Sequence, residues 1–203
     1  MKQIILLRHA QCHGNGYVGG QSDVALNTEG IQRASQIPAL LEEVQIDRIF
    51  CSPMKRARQT ITPFIDMNQH IPIDYDRRLR EIDFGIFEGM TYDQIQATYP
   101  QQQKAWFSDQ LGTAPQNGET LTELHKRVHS FIDEQLLYAT EENTILLCGH
   151  GGSLRAITCE LLRLGPDKHW SFHIQRGNFA IVHIYPDNSA ILQRLNTKSP
   201  LDT

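Results

Sequence analysis

The sequence predicts an α/β fold, a three-layer sandwich whose central, mainly parallel sheet is flanked by helices. Three observations carry this. The short, fully apolar run at residues 4–7 has the pattern of a strand covered on both faces, residues 46–51 read as a second strand, and 144–148 as another apolar one. Segments with helical spacing of apolar residues separate these runs, and such alternation builds parallel sheets. Each run is followed by polar residues able to do chemistry, His9, Arg56 and His150, at the strand ends where open α/β sheets bind ligands.

In chain order, the run at 4–7 leads into a glycine-rich loop, 14–20. Asn27 and Thr28 are helix-start residues, and Ile31, Ala34, Leu40, Leu41 and Val44 follow at roughly helical spacing. Residues 46–51 read as the second strand. Ser52-Pro53 predicts the next helix opening, because Ser can cap and Pro fits the first helical position. That helix carries Lys55, Arg56 and Arg58 in or just past its first turn, and a weaker strand follows at 71–75. The pattern then turns polar, Gln-rich and aromatic (Tyr92, Tyr99, Trp106, Phe107), which predicts a helical cap inserted at about 90–118. Thr120-Leu121-Thr122-Glu123 is a capping box opening a long helix to about residue 138. The strand at 144–148 ends in Gly149-His150-Gly151-Gly152, with a helix expected over 153–164 and β-like runs at 179–185 and 190–195. No repeat or linker divides the chain, so 1–203 reads as one domain.

Composition bounds the function. With 40% hydrophobic and 21% charged residues the chain can bury an ordinary core. A net charge of −4 makes it a poor partner for nucleic acid or an anionic membrane, so any anion must be held by a local basic pocket. The expected partner is a small molecule; oligomeric state is left open, a homodimer included. Cys12, Cys51, Cys148 and Cys159 are widely spaced and read as reduced thiols of a cytoplasmic protein. The apolar start is too short for a signal peptide or a membrane span.

Several motifs are decoys. Gly14-Asn15-Gly16-Tyr17-Val18-Gly19 fits G-x-G-x-x-G, but a dinucleotide site needs those glycines directly after the strand and opening a helix. His9, Cys12 and His13 resemble metal ligands only in type. His125 and His129 are one turn apart, yet Lys126 and Arg127 between them would repel a cation, and an exposed polar face is expected. No Cys–Arg pair has the spacing of a cysteine phosphatase loop, and G-x-S-x-G is absent.

The remaining constellation is Arg8-His9 after one strand, Arg56 at a helix start after another, and His150 after a third. If the first and third strands are parallel neighbours, both imidazoles face one crevice, and the cations with a helix start would bind a multiply charged oxyanion. On these motifs the sequence resembles the histidine phosphatase superfamily, the phosphoglycerate mutase-like proteins, over essentially the whole chain. Arg8-His9-Ala10 is similar to its R-H-G motif, and residues 52–60 to its S-x-x-x-R-A-x-Q-T segment. Residues 79–89, Asn117-Gly118-Glu119-Thr120 and Gly149-His150-Gly151-Gly152 continue the match in order.

The resemblance implies a metal-independent, cofactor-independent phosphomonoesterase acting through a phosphohistidine. His9 would be the nucleophile, Arg8, Arg56 and His150 would hold the phosphoryl oxygens, and Glu81 would protonate the leaving group. Asn15, Gln21, Phe84 and Gly151 stand at positions expected to contact substrate; Asn15 reads equally as a turn residue, and Arg58 as a helix-surface cation. Two guanidiniums beside His9 would keep it neutral, and planar guanidiniums suit phosphoryl oxygens. Ala10, Gln11 and Cys12 depart from the family's usual Gly, Glu and Thr or Ser. The family's mutases are usually longer and carry a basic insertion. Here 91–118 holds one cation, Lys104, and Gly151-Gly152 replaces their Gly-Asn, which favours hydrolysis. Residues 46–52 and 169–177 look most like α-ribazole phosphatases of cobalamin biosynthesis, whose apolar aglycone would suit Trp106 and Phe107 unless those are helix core. The alternatives are a broad-specificity phosphatase, a phosphoglycerate mutase, a sugar-bisphosphate phosphatase, and an inactive phospho-ligand-binding module.

Overall fold

Residues 1–14, 16–137 and 144–201 are described by the computed structural model. The strands are β1 (Lys2–Arg8), β2 (Arg48–Cys51), β3 (Ile73–Tyr75), β4 (Thr144–Gly149), β5 (Phe179–Ile184) and β6 (Ala190–Thr197). Between them run α1 (Thr28–Leu41), α2 (Lys55–Met67), α3 (Tyr92–Thr98), α4 (Pro100–Ser108), α5 (Leu121–Ile132) and α6 (Gly151–Leu161). All six strands join one sheet in the order β3-β2-β4-β1-β5-β6. The first four are parallel, while β5 and β6 are antiparallel additions at one edge.

The apolar runs sit where they must. β1 and β4 are central, and alternate residues feed two separate cores. Ile4, Leu6, Ile145 and Leu147 pack with Leu124, Val128, Phe131 and Ile157 of α5 and α6. Ile5, Leu7, Leu146 and Cys148 pack with Ile37, Leu41, Ala57 and Ile61 of α1 and α2. At roughly 1.5–3 kcal/mol per buried aliphatic side chain, these two layers fix the sheet. Pairing of Arg8 with Gly149 sets the register, so His9 and His150 follow one step beyond the same sheet edge.

Four local expectations are corrected. The helix after β2 begins at Lys55, with Met54 as a cap that makes no side-chain bond; the Ser52 hydroxyl is drawn instead to the ring of His150. The helix after His150 begins at Gly151 and ends at Leu161. On α1 the buried stripe is Gly30, Ala34, Ile37 and Leu41, whereas Ile31 is 58% exposed. Gly30 explains the rotation: a Cβ there would lie 1.9 Å from the Gln11 carbonyl oxygen, so this face is pressed onto the loop after β1. His129 is exposed as expected, but His125 is only 3% exposed, because a 3-10 turn at Pro166–Ser171 packs His169 over it.

The capping box at Thr120 and Glu123 forms as read, and α5 continues into a π-helical turn, Asp133–Leu137; residue 138 lies outside the described residues. The glycine-rich loop opens no helix, since α1 starts only at Thr28. Trp106 is buried among Val18, Phe87 and Ile95, while Phe107 is exposed and stacks on Tyr92. No helix among the described residues is long and apolar enough to cross a membrane.

Candidate active site

The carboxyl ends of β1, β2 and β4 deliver His9, Arg56 (through α2) and His150 to one place, as parallel neighbours must. The rings of His9 and His150 lie 5.1 Å apart, centroid to centroid. A cavity of about 320 Å³ opens against Arg8, His9, Arg56 and Glu81, near the lower bound for small-molecule sites.

His9 is buried and its tautomer is set by the chain itself. Nδ1 lies 2.8 Å from the carbonyl oxygen of Ala10, so that nitrogen carries the proton and Nε2 keeps its lone pair. Burial, with Arg56 and Arg8, holds the pKa of His9 well below the usual histidine value. The Ala10 amide in turn donates to Thr60 Oγ1, whose hydroxyl donates to the Arg56 carbonyl, tying the His9 loop to α2.

His150 is fully buried and caps α6. Its Nδ1 accepts from Arg56 Nε at 3.1 Å, which leaves the proton on Nε2, 2.8 Å from Ser52 Oγ. Burial and the neighbouring Arg56 keep this ring neutral, with its pKa well below the ordinary value. Arg56 is itself buried, and its two terminal nitrogens donate to the carbonyls of Ser22 and Gly20 at 2.7 Å each. Arg8 donates from Nη1 to the Ile174 carbonyl at 2.7 Å, and its buried Nε has no partner among the described residues. Burial lowers the Arg8 pKa to about 10, which leaves it cationic at neutral pH.

Glu81 is held by backbone. Its Oε1 accepts from the amides of Ile82 at 3.0 Å and Gly152 at 2.8 Å, the second at the start of α6. Glycine is required at position 152, where a Cβ would lie 2.3 Å from that oxygen. A second carboxylate, Glu88, takes the amides of Gly20, Gln21 and Ser22 and so clamps the loop that Arg56 also grips.

Arg8, His9, Arg56 and Glu81 therefore meet at one cavity, with His150 behind Arg56 rather than on the cavity wall among the described residues. Cys12 lines the cavity. Of the expected substrate contacts, Gln21 donates to the Glu81 carbonyl, Phe84 packs edge-on against Trp106, and Gly151 lies under the Arg8 guanidinium. None of these three lines the cavity. Asn15 lies outside the described residues. Unforeseen from sequence were Arg176, His13, Tyr17 and Ser22 on the cavity wall. Nothing in the local pattern marks Arg176; it arrives because Gly177 N donates to the carbonyls of Arg8 and His9 and folds its segment back across β1.

The profile of the histidine phosphatase superfamily (branch 1) matches residues 4–197. The chain belongs to that superfamily. Phosphoserine phosphatase 1 of Hydrogenobacter thermophilus is 27% identical over 195 residues, covering 95% of this chain and 92% of the relative. An adenosylcobalamin/α-ribazole phosphatase of Salmonella typhimurium is 28% identical, covering 96% of each chain. The crystal structure of a putative α-ribazole-5′-P phosphatase from Escherichia coli superposes with a TM-score of 0.91 at 26% identity, covering 98% of this chain and 97% of that one. By class this member of the superfamily is a phosphoric monoester hydrolase, and its fold is the phosphoglycerate mutase-like α/β sandwich that the motifs implied.

Proposed function

We propose that this protein is a metal-independent phosphomonoesterase working through a phosphohistidine on His9. The observation that carries the reading is a neutral His9 with its Nε2 lone pair unprotonated, in a cavity shared with Arg8, Arg56 and Glu81. Nε2 attacks phosphorus as the ester P–O bond breaks, and the departing oxygen takes a proton from Glu81. Water then attacks phosphorus, giving its proton to Glu81 as the N–P bond breaks and phosphate leaves. The guanidiniums of Arg8 and Arg56 stabilise the equatorial oxygens, so alignment and charge carry the rate. His150 acts through Arg56, whose Nε it receives. The intact set argues against an inactive binding module.

We take 1–203 as one such domain with α3 and α4 as its cap, supported by the span of the family match. Four buried free cysteines support a reducing, cytoplasmic setting. For substrate, the likeness of residues 46–52 and 169–177 supports α-ribazole 5′-phosphate or a range of small phosphomonoesters. The burial of Trp106 removes one aromatic surface for an aglycone.

Turnover of p-nitrophenyl phosphate in EDTA tests the chemistry. It should be lost in His9→Ala, and brief incubation with substrate should label the wild type with an acid-labile, base-stable phosphoryl group. Unchanged turnover in His9→Ala rules the mechanism out.

A further inference from the structure

In the mechanism proposed above, Glu81 must hand over and take back a proton at one fixed point. Its carboxylate is held by the amides of Ile82 and Gly152, and a second set of bonds holds its backbone. Two side chains converge on the Glu81 carbonyl: Gln21 donates from Nε2 at 2.7 Å, and Arg127 of α5 donates from Nη2 at 3.0 Å. Arg127 also donates from Nη1 to the Arg78 carbonyl, so one guanidinium ties together two carbonyls three residues apart.

Glu119, of the Asn117-Gly118-Glu119-Thr120 motif, completes the clamp. Its carboxylate takes Arg127 by two bonds, Nε to Oε1 at 2.6 Å and Nη2 to Oε2 at 2.9 Å, with the two side chains only 15% and 22% exposed. Paired N–H···O bonds of this kind fix the guanidinium plane. The Glu119 amide donates to the Asp83 carbonyl at 2.8 Å, and Asp83 N donates to Glu119 Oε2 at 3.3 Å. The chain is thus gripped at residues 78, 81 and 83, on both sides of Glu81. Gln21, Arg127 and Glu119 line a depression of their own, and none of them lines the catalytic cavity. Because Glu119 faces Arg127 at contact distance, the pair brings no net charge to a group that must carry a proton.

We propose that Arg127, fixed by Glu119, is a positioning residue for Glu81, with Gln21 as a second arm on the same carbonyl. The proposal rests on the phosphomonoesterase reading, in which Glu81 protonates the leaving oxygen, and names what keeps that carboxyl in line. Arg127 reaches the reacting atoms only through the Glu81 peptide. Its loss therefore impairs proton transfer, while Arg8 and Arg56, held by other bonds, still cradle the phosphoryl group.

The test measures kcat/KM for an alkyl phosphate, whose alkoxide needs the proton, and for p-nitrophenyl phosphate, whose phenolate needs it far less. Arg127→Gln should lower the alkyl value at least tenfold and the aryl value no more than about threefold, since small displacements of a reacting group are costly. Arg127→Lys, able to face Glu119 but not to span both carbonyls, should lose less. In a Glu81→Gln background, Arg127→Gln should add less than about twofold for either ester, because residues acting as one unit are not additive. Equal losses for the two esters, an unchanged alkyl value, or full additivity with Glu81→Gln overturns the proposal. Breaking a buried ion pair can unfold a protein; should Arg127→Gln fail to fold, Gln21→Leu, which spares the pair, decides by the same outcomes. If Glu81→Gln itself depresses both esters alike, the acid assignment falls, and absence of turnover in wild type removes the phosphatase reading.

Discussion

The contact between Gly152 and Glu81 gives a perturbation whose size can be worked from distances. In Gly152→Ala the new Cβ lies 2.3 Å from Glu81 Oε1 and 3.4 Å from Cδ, whereas ordinary contact begins near 3.4 Å. The carboxylate must therefore retreat by about 1 Å, a displacement that can cost about 100-fold in rate when it moves a reacting group. That corresponds to about 2.7 kcal/mol of transition-state free energy. Folding should suffer less. A hydrogen bond to a charged acceptor contributes about 1.5–3 kcal/mol, and Ala returns up to about 1 kcal/mol of helix propensity over Gly. The assay is kcat/KM, which reports steps up to loss of the alcohol, for an alkyl phosphate and for p-nitrophenyl phosphate. The alkyl substrate, whose alkoxide needs the proton, should lose about 100-fold, and p-nitrophenyl phosphate no more than about tenfold. Equal losses for the two substrates, or none for the alkyl ester in a folded variant, would refute Glu81 as the leaving-group acid.

Ser52→Ala strips the acceptor from His150 Nε2 and leaves a buried donor unsatisfied. A loss of about 1–3 kcal/mol in urea unfolding is expected, with lower kcat because Arg56 loses its fixed partner. Thr60→Val keeps the shape but removes the acceptor for the Ala10 amide; stability should fall by about 1–3 kcal/mol, and a variant as stable as wild type argues against this tie. Burial, His125 and Arg155 depress the His169 pKa to about 3, so the unfolded chain takes up this proton first. The contribution is complete above about pH 6.5 and is lost as pH falls toward 3, with a slope of up to about 1.4 kcal/mol per pH unit. His9 and His150 act in the same direction. In His169→Gln the loss of stability between pH 7 and pH 5 should be smaller than in wild type; an identical loss means that His169 is not a source of the acid sensitivity.

How much of this was legible depended on whether the signal was local. Strand ends were readable because an apolar run followed by His9 or His150 is a one-dimensional pattern, and adjacency in the sheet then brings the rings together. The Thr120–Glu123 cap was readable for the same reason, since its partners are three residues apart. Ser52 was misread as a cap because its partner, His150, is 98 residues away. Likewise His125 looked solvent-facing until the turn carrying His169 packed over it. Arg176 lies in the stretch 169–177, yet no motif there marks it as a wall residue, because it reaches the cavity through backbone bonds that no side-chain pattern encodes.

The two clamps on the loop before α1 have an evolutionary reading. Arg56 and Glu88 seize the backbone of Gly20 to Ser22, through carbonyls and amides, not through side chains. Tyr17 and Val18, just upstream, face the cavity beyond that anchored stretch. The half-exposed Tyr17 side chain takes no part in the grip, so descendants of this chain can exchange it and acquire a new diet of esters while the anchored backbone beneath is inherited whole.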